Sequence, residues 1–257
     1  MNFRKLKKAA AAVMAAVMCV TMAFGTSVSA AEKKSVWSET KALTTAKYNS
    51  KYIKWAEKYS AKEAKNTIAF GKSRTKKFYE SQTKVSGSDD PQFIINIIDK
   101  ETIFSIAVKG KENSKNIKMV AYSDGEGSAI YSNSKNVTLL SVGYKQKLTV
   151  PMSENIGYDE LFDEMAEGLF FNNDNYMIEL GVTDKTKGKT FKFTSNEKTY
   201  YYEEFEGSVA GKFGFLFNSS GKPIAAVSGD TAMCFNISFS VKDSEFSIPK
   251  GYTDISL

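Results

Sequence analysis

Residues 233–242 read Met-Cys-Phe-Asn-Ile-Ser-Phe-Ser-Val-Lys, the clearest alternation of apolar and polar side chains in the chain. Successive side chains of a strand point to opposite faces, so Phe235, Ile237 and Phe239 share one face. Residues 213–217, Phe-Gly-Phe-Leu-Phe, repeat the pattern. Both stretches therefore predict half-buried β-strands, each with an aromatic face.

Similar segments occur along most of the chain beyond residue 75, and short runs of Gly, Pro, Asn, Asp and Ser separate several of them. Numerous strands joined by short turns favour a mainly antiparallel sheet. The predicted strands are Phe78–Val85, Phe93–Ile98, Thr102–Lys109, Ile117–Tyr122, Ser128–Ser132, Val137–Val142, Lys145–Val150, Tyr176–Val182, Thr190–Thr194, Thr199–Phe205, Lys212–Phe217, Pro223–Val227 and Ala232–Val241.

Two segments have helical spacing instead. Residues 38–65 contain neither Pro nor Gly, and aromatic residues recur there at steps of 4, 3 and 4, namely Tyr48, Tyr52, Trp55 and Tyr59. A second helix is predicted over residues 158–170, where Asp159 and Glu160 lie in the first turn.

The predicted fold class is α+β with mainly antiparallel β structure. Two helices cannot cover both faces of so many strands. We therefore expect a strongly curved sheet or half-open β-barrel, with one or two helices packed on its concave side. The expected organisation is a signal peptide (1–30), an N-terminal helical segment packed on the sheet (31–75) and a curved β domain (76–257) with a helical insertion near 158–170.

The first 30 residues have the order of a secretory signal peptide. Basic residues at positions 4–8 precede an apolar run, Ala9–Phe24, and a stretch of small residues with a predicted cleavage site near Ala30. We expect a secreted or extracytoplasmic protein. Removal of residues 1–30 would leave 31 of the 35 basic residues against 29 acidic ones. The formal charge would then be +2 rather than +6. This balance does not favour a nucleic-acid partner.

Histidine is absent from all 257 residues. Its absence excludes Ser/His and Cys/His nucleophilic pairs and the usual zinc sites. Cys234 is expected to be a small buried hydrophobe on a strand. The sequence has no phosphate-cradling glycine motif and no metal-spaced cysteine set, so no cofactor or metal is expected. Residues 124–127 and 172–175 carry oxygen ligands of the calcium type, but without the spacing of a calcium loop.

Three stretches of the C-terminal third carry a resemblance: Lys198–Phe205 (Lys-Thr-Tyr-Tyr-Tyr-Glu-Glu-Phe), residues 213–224 (Phe-Gly-Phe-Leu-Phe-Asn-Ser-Ser-Gly-Lys-Pro-Ile) and residues 246–252 (Phe-Ser-Ile-Pro-Lys-Gly-Tyr). Together they resemble secreted bacterial proteins of the lipoprotein-carrier superfamily, which are like the outer-membrane lipoprotein localisation factors. The resemblance covers residues 190–255 in sequence and residues 76–255 only in strand order. It implies a half-open β-barrel with helices at its mouth and, in some members, an apolar cavity that holds acyl chains. The family is not enzymatic as a rule, and the resemblance does not account for the basic N-terminal helix.

The first functional hypothesis is non-enzymatic, non-covalent binding of an apolar or amphipathic ligand, such as a lipid or lipopeptide, on the concave side of the sheet. The same apolar residues could instead form a filled core. The predicted lining consists of Phe191, Phe193, Phe213, Phe215, Phe217, Phe235, Ile237 and Phe239, with Met165 and Leu169 near the entrance.

The second hypothesis is a cell-surface or cell-wall interaction module. The first helix carries a basic stripe beside its aromatic stripe, formed by Lys47, Lys51, Lys54, Lys58, Lys62 and Lys65. Such a stripe suits an anionic wall polymer or a membrane surface. In the structural alternative the aromatic residues dock on the sheet and the lysines face water.

The third hypothesis is a hydrolase that uses the carboxylates of Glu203, Glu204 and Glu206. On a strand, Glu204 and Glu206 share a face. Glycoside hydrolysis requires two acids on either side of the scissile bond, about 5–10 Å apart. Neighbouring glutamates on one strand rarely meet this requirement, so a solvated outer face is the expectation for them.

Overall fold

We describe the protein from a computed structural model. The description covers residues 39–63, 65–86, 92–98, 102–110, 116–123, 126–133, 135–141, 144–151, 176–228 and 231–255.

Three α-helices lie in this part of the chain: α1 (Glu39–Ser60), α2 (Arg74–Ser86) and the short α3 (Tyr176–Leu180). Two single turns of 3-10 helix span Phe70–Lys72 and Asp243–Phe246. The strands are β1 (Asn66–Ala69), β2 (Gln92–Ile98), β3 (Thr102–Lys109), β4 (Asn116–Ser123), β5 (Glu126–Ser132), β6 (Asn136–Ser141), β7 (Gln146–Pro151), β8 (Lys187–Ser195), β9 (Lys198–Gly207), β10 (Gly211–Asn218), β11 (Pro223–Ser228), β12 (Thr231–Ser238) and β13 (Thr253–Asp254).

Within the described ranges, 13 strands form one sheet in the order β1-β8-β9-β10-β11-β12-β2-β3-β4-β5-β6-β7-β13. Neighbouring strands are antiparallel except β13, which runs parallel to β7. The sheet is open, with β1 and β13 at its edges. The prediction of an α+β protein with a mainly antiparallel sheet is confirmed.

Most predicted strands coincide with observed ones, and the predicted bounds of Thr102–Lys109 agree with those of β3. The last predicted strand, Ala232–Val241, is too long because β12 ends at Ser238. The first predicted helix is confirmed as α1, which ends at Ser60 rather than at Lys65. The predicted helix over residues 158–170 lies outside the described residues.

The prediction of a strand over Phe78–Val85 is wrong, because this segment belongs to α2. Phe78 and Tyr79 are both buried in one apolar cluster, whereas a strand would place these adjacent side chains on opposite faces. Ser73 signals the start of the helix, since its Oγ accepts a hydrogen bond from the N–H of Lys76 at 3.0 Å.

The prediction of a strand over Tyr176–Val182 is also wrong, because residues 176–180 form α3. The helix ends in a Schellman motif at Gly181, whose φ is +66°. The N–H of Val182 donates to the carbonyl of Met177, and that of Gly181 donates to the carbonyl of Ile178. A helix end of this kind needs a positive φ, which glycine adopts without strain.

The helices α1 and α2 pack on opposite faces of the sheet. On the α1 face, the Trp55 and Tyr59 ring centroids lie 5.1 and 4.4 Å from that of Phe193. On the α2 face, the Phe78 centroid lies 5.9 Å from those of Phe215 and Phe235. Trp55 and Tyr59 of the aromatic stripe therefore pack on the sheet, with their lysine neighbours beside them.

Candidate functional site

A cleft of about 680 Å³ opens on the α2 face. It lies between α2, the turn that joins β10 to β11, and the end of β12. The lining residues are Arg74, Lys77, Phe78, Ser81, Ser219, Ser220, Gly221, Lys222, Pro223, Ile237, Ser238 and Phe239.

The lining combines an apolar part with a basic and hydroxyl-bearing part. Phe78, Pro223 and Ile237 are buried, while Phe239 beyond the end of β12 is 52% exposed. The cations are Arg74, Lys77 and Lys222, and the described lining residues include four serines but neither Asp nor Glu. Concave sites with apolar walls and a few placed polar groups are typical of small-molecule binding.

The turn between β10 and β11 is shaped by Asn218. Its Oδ1 accepts hydrogen bonds from the N–H and Oγ of Ser220 at 3.1 and 2.8 Å, and from the N–H of Lys222 at 2.9 Å. Gly221 has a φ of +78°, and its N–H donates to the Asn218 carbonyl. An Asx-type turn of this kind holds the backbone of one cleft wall in place.

Glu203 on β9 holds the start of α2, the helix that forms the other wall of the cleft. Its side chain is fully buried, and its carboxylate accepts from the N–H groups of Arg74 and Thr75 at 3.2 and 3.0 Å. The Thr75 Oγ1 and one Arg74 guanidinium nitrogen donate at 3.0 and 3.1 Å. The Arg74 guanidinium also lies 3.8 Å from the ring centroid of Tyr201. Strand β9 therefore caps the start of α2, where a negative charge also complements the helix dipole.

The side chain of Glu204, the next residue on β9, lies on the α1 face. Its Oε2 accepts from the Tyr202 hydroxyl at 2.9 Å, and its Oε1 lies 3.4 Å from the Lys212 Nζ and 4.0 Å from the Lys189 Nζ. The two lysines donate to the hydroxyl and carbonyl of Ser60, the last residue of α1. This cluster joins the end of α1 to the sheet.

Burial, the charge of Glu204 and the hydrogen bond to it hold the pKa of Tyr202 well above its usual range. The phenol therefore stays protonated and continues to donate to the carboxylate. Gly214 leaves room for this ring, because a Cβ at that position would collide with the Tyr202 hydroxyl.

The expectation of a solvated outer face for the three glutamates is wrong for Glu203 and Glu204, which are 0% and 5% exposed. The partners that satisfy them come from elements far away in the sequence, so the local pattern Glu-Glu-Phe-Glu does not reveal them. Glu206 is exposed, as expected. Neither buried carboxylate lines the cleft.

The predicted cavity residues do not share one face. Two of them, Phe191 and Phe193, pack under α1 on the α1 face. The group on the α2 face consists of Phe213, Phe215, Phe217, Phe235 and Ile237. Among the predicted residues that the structure describes, Ile237 and Phe239 line the cleft, and the others belong to the apolar clusters of the two faces or pack against them. Met165 and Leu169 lie outside the described residues.

The cleft residues that the sequence analysis missed come from α2 and the β10–β11 turn. Ser219, Ser220 and Gly221 belong to a recognisable turn sequence, but nothing local marks that turn as the wall of a site. Arg74 and Lys77 were missed because the strand pattern that begins at Phe78 gives no sign that a helix starts before it.

The basic stripe of the first helix is largely solvent-facing where it is described. Lys54, Lys58, Lys62 and Lys65 are exposed, and the last two lie beyond the end of α1. The Lys51 Nζ lies 4.4 Å from the ring centroid of Trp55, in a cation–π contact. Lys47 belongs to α1, and its side chain is outside the description.

Metal-binding and membrane-spanning features are absent from the described ranges. In these ranges, no group of three Cys, Asp or Glu side chains comes together as a metal ion would require. Asp124 and residues 172–175 lie outside them. Cys234 lies on β12 and is half-buried. No helix in these ranges has both the length and the hydropathy to cross a bilayer.

No family model matches the chain, and no curated protein matches it. Among solved structures, it is similar to an uncharacterized conserved protein from Thermus thermophilus, with 9% identity and a TM-score of 0.32, over 70% of this chain and 98% of the other. It is also similar to a domain described as that of a putative outer membrane lipoprotein-sorting protein from Vibrio parahaemolyticus. That match has 9% identity and a TM-score of 0.21, over 66% of this chain and 94% of the other. No function is transferred from either.

Proposed function

We propose that the protein is an exported, non-enzymatic binder of an apolar or amphipathic ligand, and that the cleft between α2 and the β10–β11 turn is its binding site. The cleft volume of about 680 Å³ is the observation that carries the proposal. It falls within the range of about 300–1,000 Å³ that is typical of ligand pockets.

The cleft walls support an amphipathic ligand in particular. An apolar chain against Phe78 and Ile237 would be removed from water, with a gain of about 25 cal/mol per Å² of buried apolar surface. Phe239, which is 52% exposed, would be covered by the bound chain. Ser219 and the two exposed lysines of the lining suit the polar end of the same molecule.

A curved sheet also belongs to the proposal. The α2 face carries one continuous apolar cluster, with members from Phe93 on β2 to Val137 on β6 and to Phe205 on β9. A flat sheet of 13 strands would be about 60 Å wide, whereas the 13 residues of α2 span about 20 Å. Bending the sheet around α2 would bury this cluster and deepen the cleft.

Export and the absence of a reaction are proposed on the sequence. Residues 1–30 have the order of a signal peptide, and the chain contains no histidine. The buried carboxylates support the second point, because Glu203 is engaged with α2 and Glu204 with Tyr202.

Native mass spectrometry of the purified protein, before and after solvent extraction, tests the proposal. We expect added mass that disappears on extraction and returns when dodecanoate or dodecanol is supplied. A Phe239→Ser variant should bind either probe several-fold more weakly. Tyr144→Ser is the matched control, because Tyr144 is 56% exposed against 52% for Phe239. Equal binding by the two variants, or no binding to the wild-type protein, would overturn the proposal.

A surface-interaction module remains a second candidate, because Lys54, Lys58, Lys62 and Lys65 are exposed. Contact with an anionic wall polymer or membrane would weaken steeply with added salt, since screening acts on exposed charges. Replacing these four lysines with Gln should abolish binding to anionic vesicles or wall polymer. Retention of binding would remove this candidate.

A further inference from the structure

The charged residues that line the cleft in the described part of the chain are all basic, namely Arg74, Lys77 and Lys222. The guanidinium of Arg74 is matched by Glu203 at 3.1 Å. The two lysines are exposed and have no carboxylate beside them among the lining residues.

Lys77 and Lys222 stand on different walls. Lys77 belongs to α2, whose start is fixed by the Glu203 carboxylate. Lys222 follows the turn that is organised by Asn218, and its own N–H donates to the Asn218 Oδ1 at 2.9 Å. Both lysines therefore extend from a backbone that is held in place, although their ammonium groups remain in water. Ser219 supplies a hydroxyl donor in the same lining, whereas the Ser81 hydroxyl already donates to the Phe78 carbonyl at 2.7 Å.

An anion is the polar group that such a lining favours. Two ammonium groups and the Ser219 hydroxyl can donate hydrogen bonds to a carboxylate or a phosphate, and charge-assisted hydrogen bonds are stronger than neutral ones. A cationic head would meet like charge, and the described lining residues offer no carboxylate to balance it. A neutral head would gain only the weaker hydrogen bonds.

We infer that the ligand is a single-chain amphiphile with an anionic head, which binds with its chain on Phe78 and Ile237 and its head between Lys77 and Lys222. This inference rests on the proposed function, because it names the class of ligand that the same cleft accepts. The shared chemistry is an acidic group joined to an alkyl chain. A fatty acid and an alkyl phosphate both have it.

Binding of dodecanoate, dodecyl phosphate, dodecanol and dodecylamine, measured by calorimetry at low salt and below micelle formation, tests the inference. We expect both anionic probes to bind about tenfold more tightly than dodecanol. Dodecylamine should bind more weakly than dodecanol, and acetate or inorganic phosphate alone should not bind. Added salt should reduce the preference for the anions.

A charge-reversed variant, Lys77→Glu with Lys222→Glu, should lose the preference for the anionic probes while dodecanol binding stays within about twofold. Lys54→Glu with Lys135→Glu is the control for net charge. Both of its lysines are exposed, and they lie on α1 and in the β5–β6 turn, outside the cleft. This control should keep the preference.

The outcomes separate the two levels of the proposal. If dodecanol binds as tightly as dodecanoate, or if the control loses the preference as the cleft variant does, the head-group inference is wrong while ligand binding stands. If inorganic phosphate alone binds as tightly as dodecyl phosphate, the site is an anion site and the inference of an amphiphile is wrong. If none of the probes binds, the proposed function fails as well.

Discussion

Glu203 and Glu204 are neighbours on one strand, yet they fasten different helices on opposite faces of the sheet. Glu203 accepts hydrogen bonds directly from the first two N–H groups of α2. Glu204 acts on α1 through Lys189 and Lys212, which donate to Ser60 at the end of that helix. The difference follows from the helix dipole, because a carboxylate suits the N-terminus and a cation suits the C-terminus.

The groups that hold α2 and those that hold α1 also differ in burial. Glu203 is fully buried, and so are its hydrogen bonds from the N–H and the hydroxyl of Thr75. The side chains of Lys189 and Lys212 are 41% and 55% exposed. Exposed ion pairs are screened and contribute little, so we expect α2 to depend on its glutamate more strongly than α1 does.

Replacement of Glu203 should have the largest effect. Glu203→Gln keeps the size but places an amide nitrogen among donors, so the free energy of unfolding should fall by about 2–3 kcal/mol. Urea denaturation measures it. Glu206→Gln is the control, because Glu206 lies on the same strand and is exposed, and it should stay within about 0.5 kcal/mol. Equal free energies of unfolding for the two variants would contradict the conclusion that Glu203 caps the start of α2.

Glu204→Gln should have a smaller effect, about 1 kcal/mol, because Tyr202 can still donate to the amide oxygen. Hydrogen exchange measures which helix each glutamate, Glu204 or Glu203, holds in place. Exchange should become faster in residues 52–59 of α1 and remain unchanged in residues 75–81 of α2, and Glu203→Gln should show the reverse. Faster exchange in both helices for each variant would mean that the two attachments are not separate.

Alkaline pH should weaken the attachment of α1 that involves Tyr202. The pKa of Tyr202 is raised in the folded protein, mainly by burial, whereas an unfolded tyrosine loses its proton near pH 10. The contribution is fully present below pH 10 and declines above it, by about 0.8 kcal/mol at pH 10.5. Wild-type protein should therefore lose this much more stability than Tyr202→Phe between pH 8 and pH 10.5. Parallel stability curves for the two proteins would show that Tyr202 does not titrate as described.

The strands could be predicted from sequence because alternation is local. The shared faces could not, because they depend on register between strands. Phe191 and Leu216 both lie opposite Tyr202, on either side of β9. Phe191 therefore shares a face with Leu216 and not with Phe215, and the predicted lining is divided between the two faces.

The helix α2 and the cleft were not predictable for a related reason. The acceptor that closes the start of α2 lies 129 residues further along the chain. Phe78 and Tyr79 follow that start, and aromatic residues of this kind fit a strand as well as a helix. The cleft then depends on the placement of α2 beside the β10–β11 turn, which is a tertiary arrangement and leaves no local pattern in the sequence.

Hydrogen exchange with and without dodecanoate tests the central claim most directly, because it reports which face of the sheet receives the ligand. We predict slower exchange in residues 74–81 and 219–223, on the two walls of the cleft, and no change in residues 52–59 of α1. Protection confined to α1, or no protection in either cleft wall at a saturating concentration of dodecanoate, would contradict it.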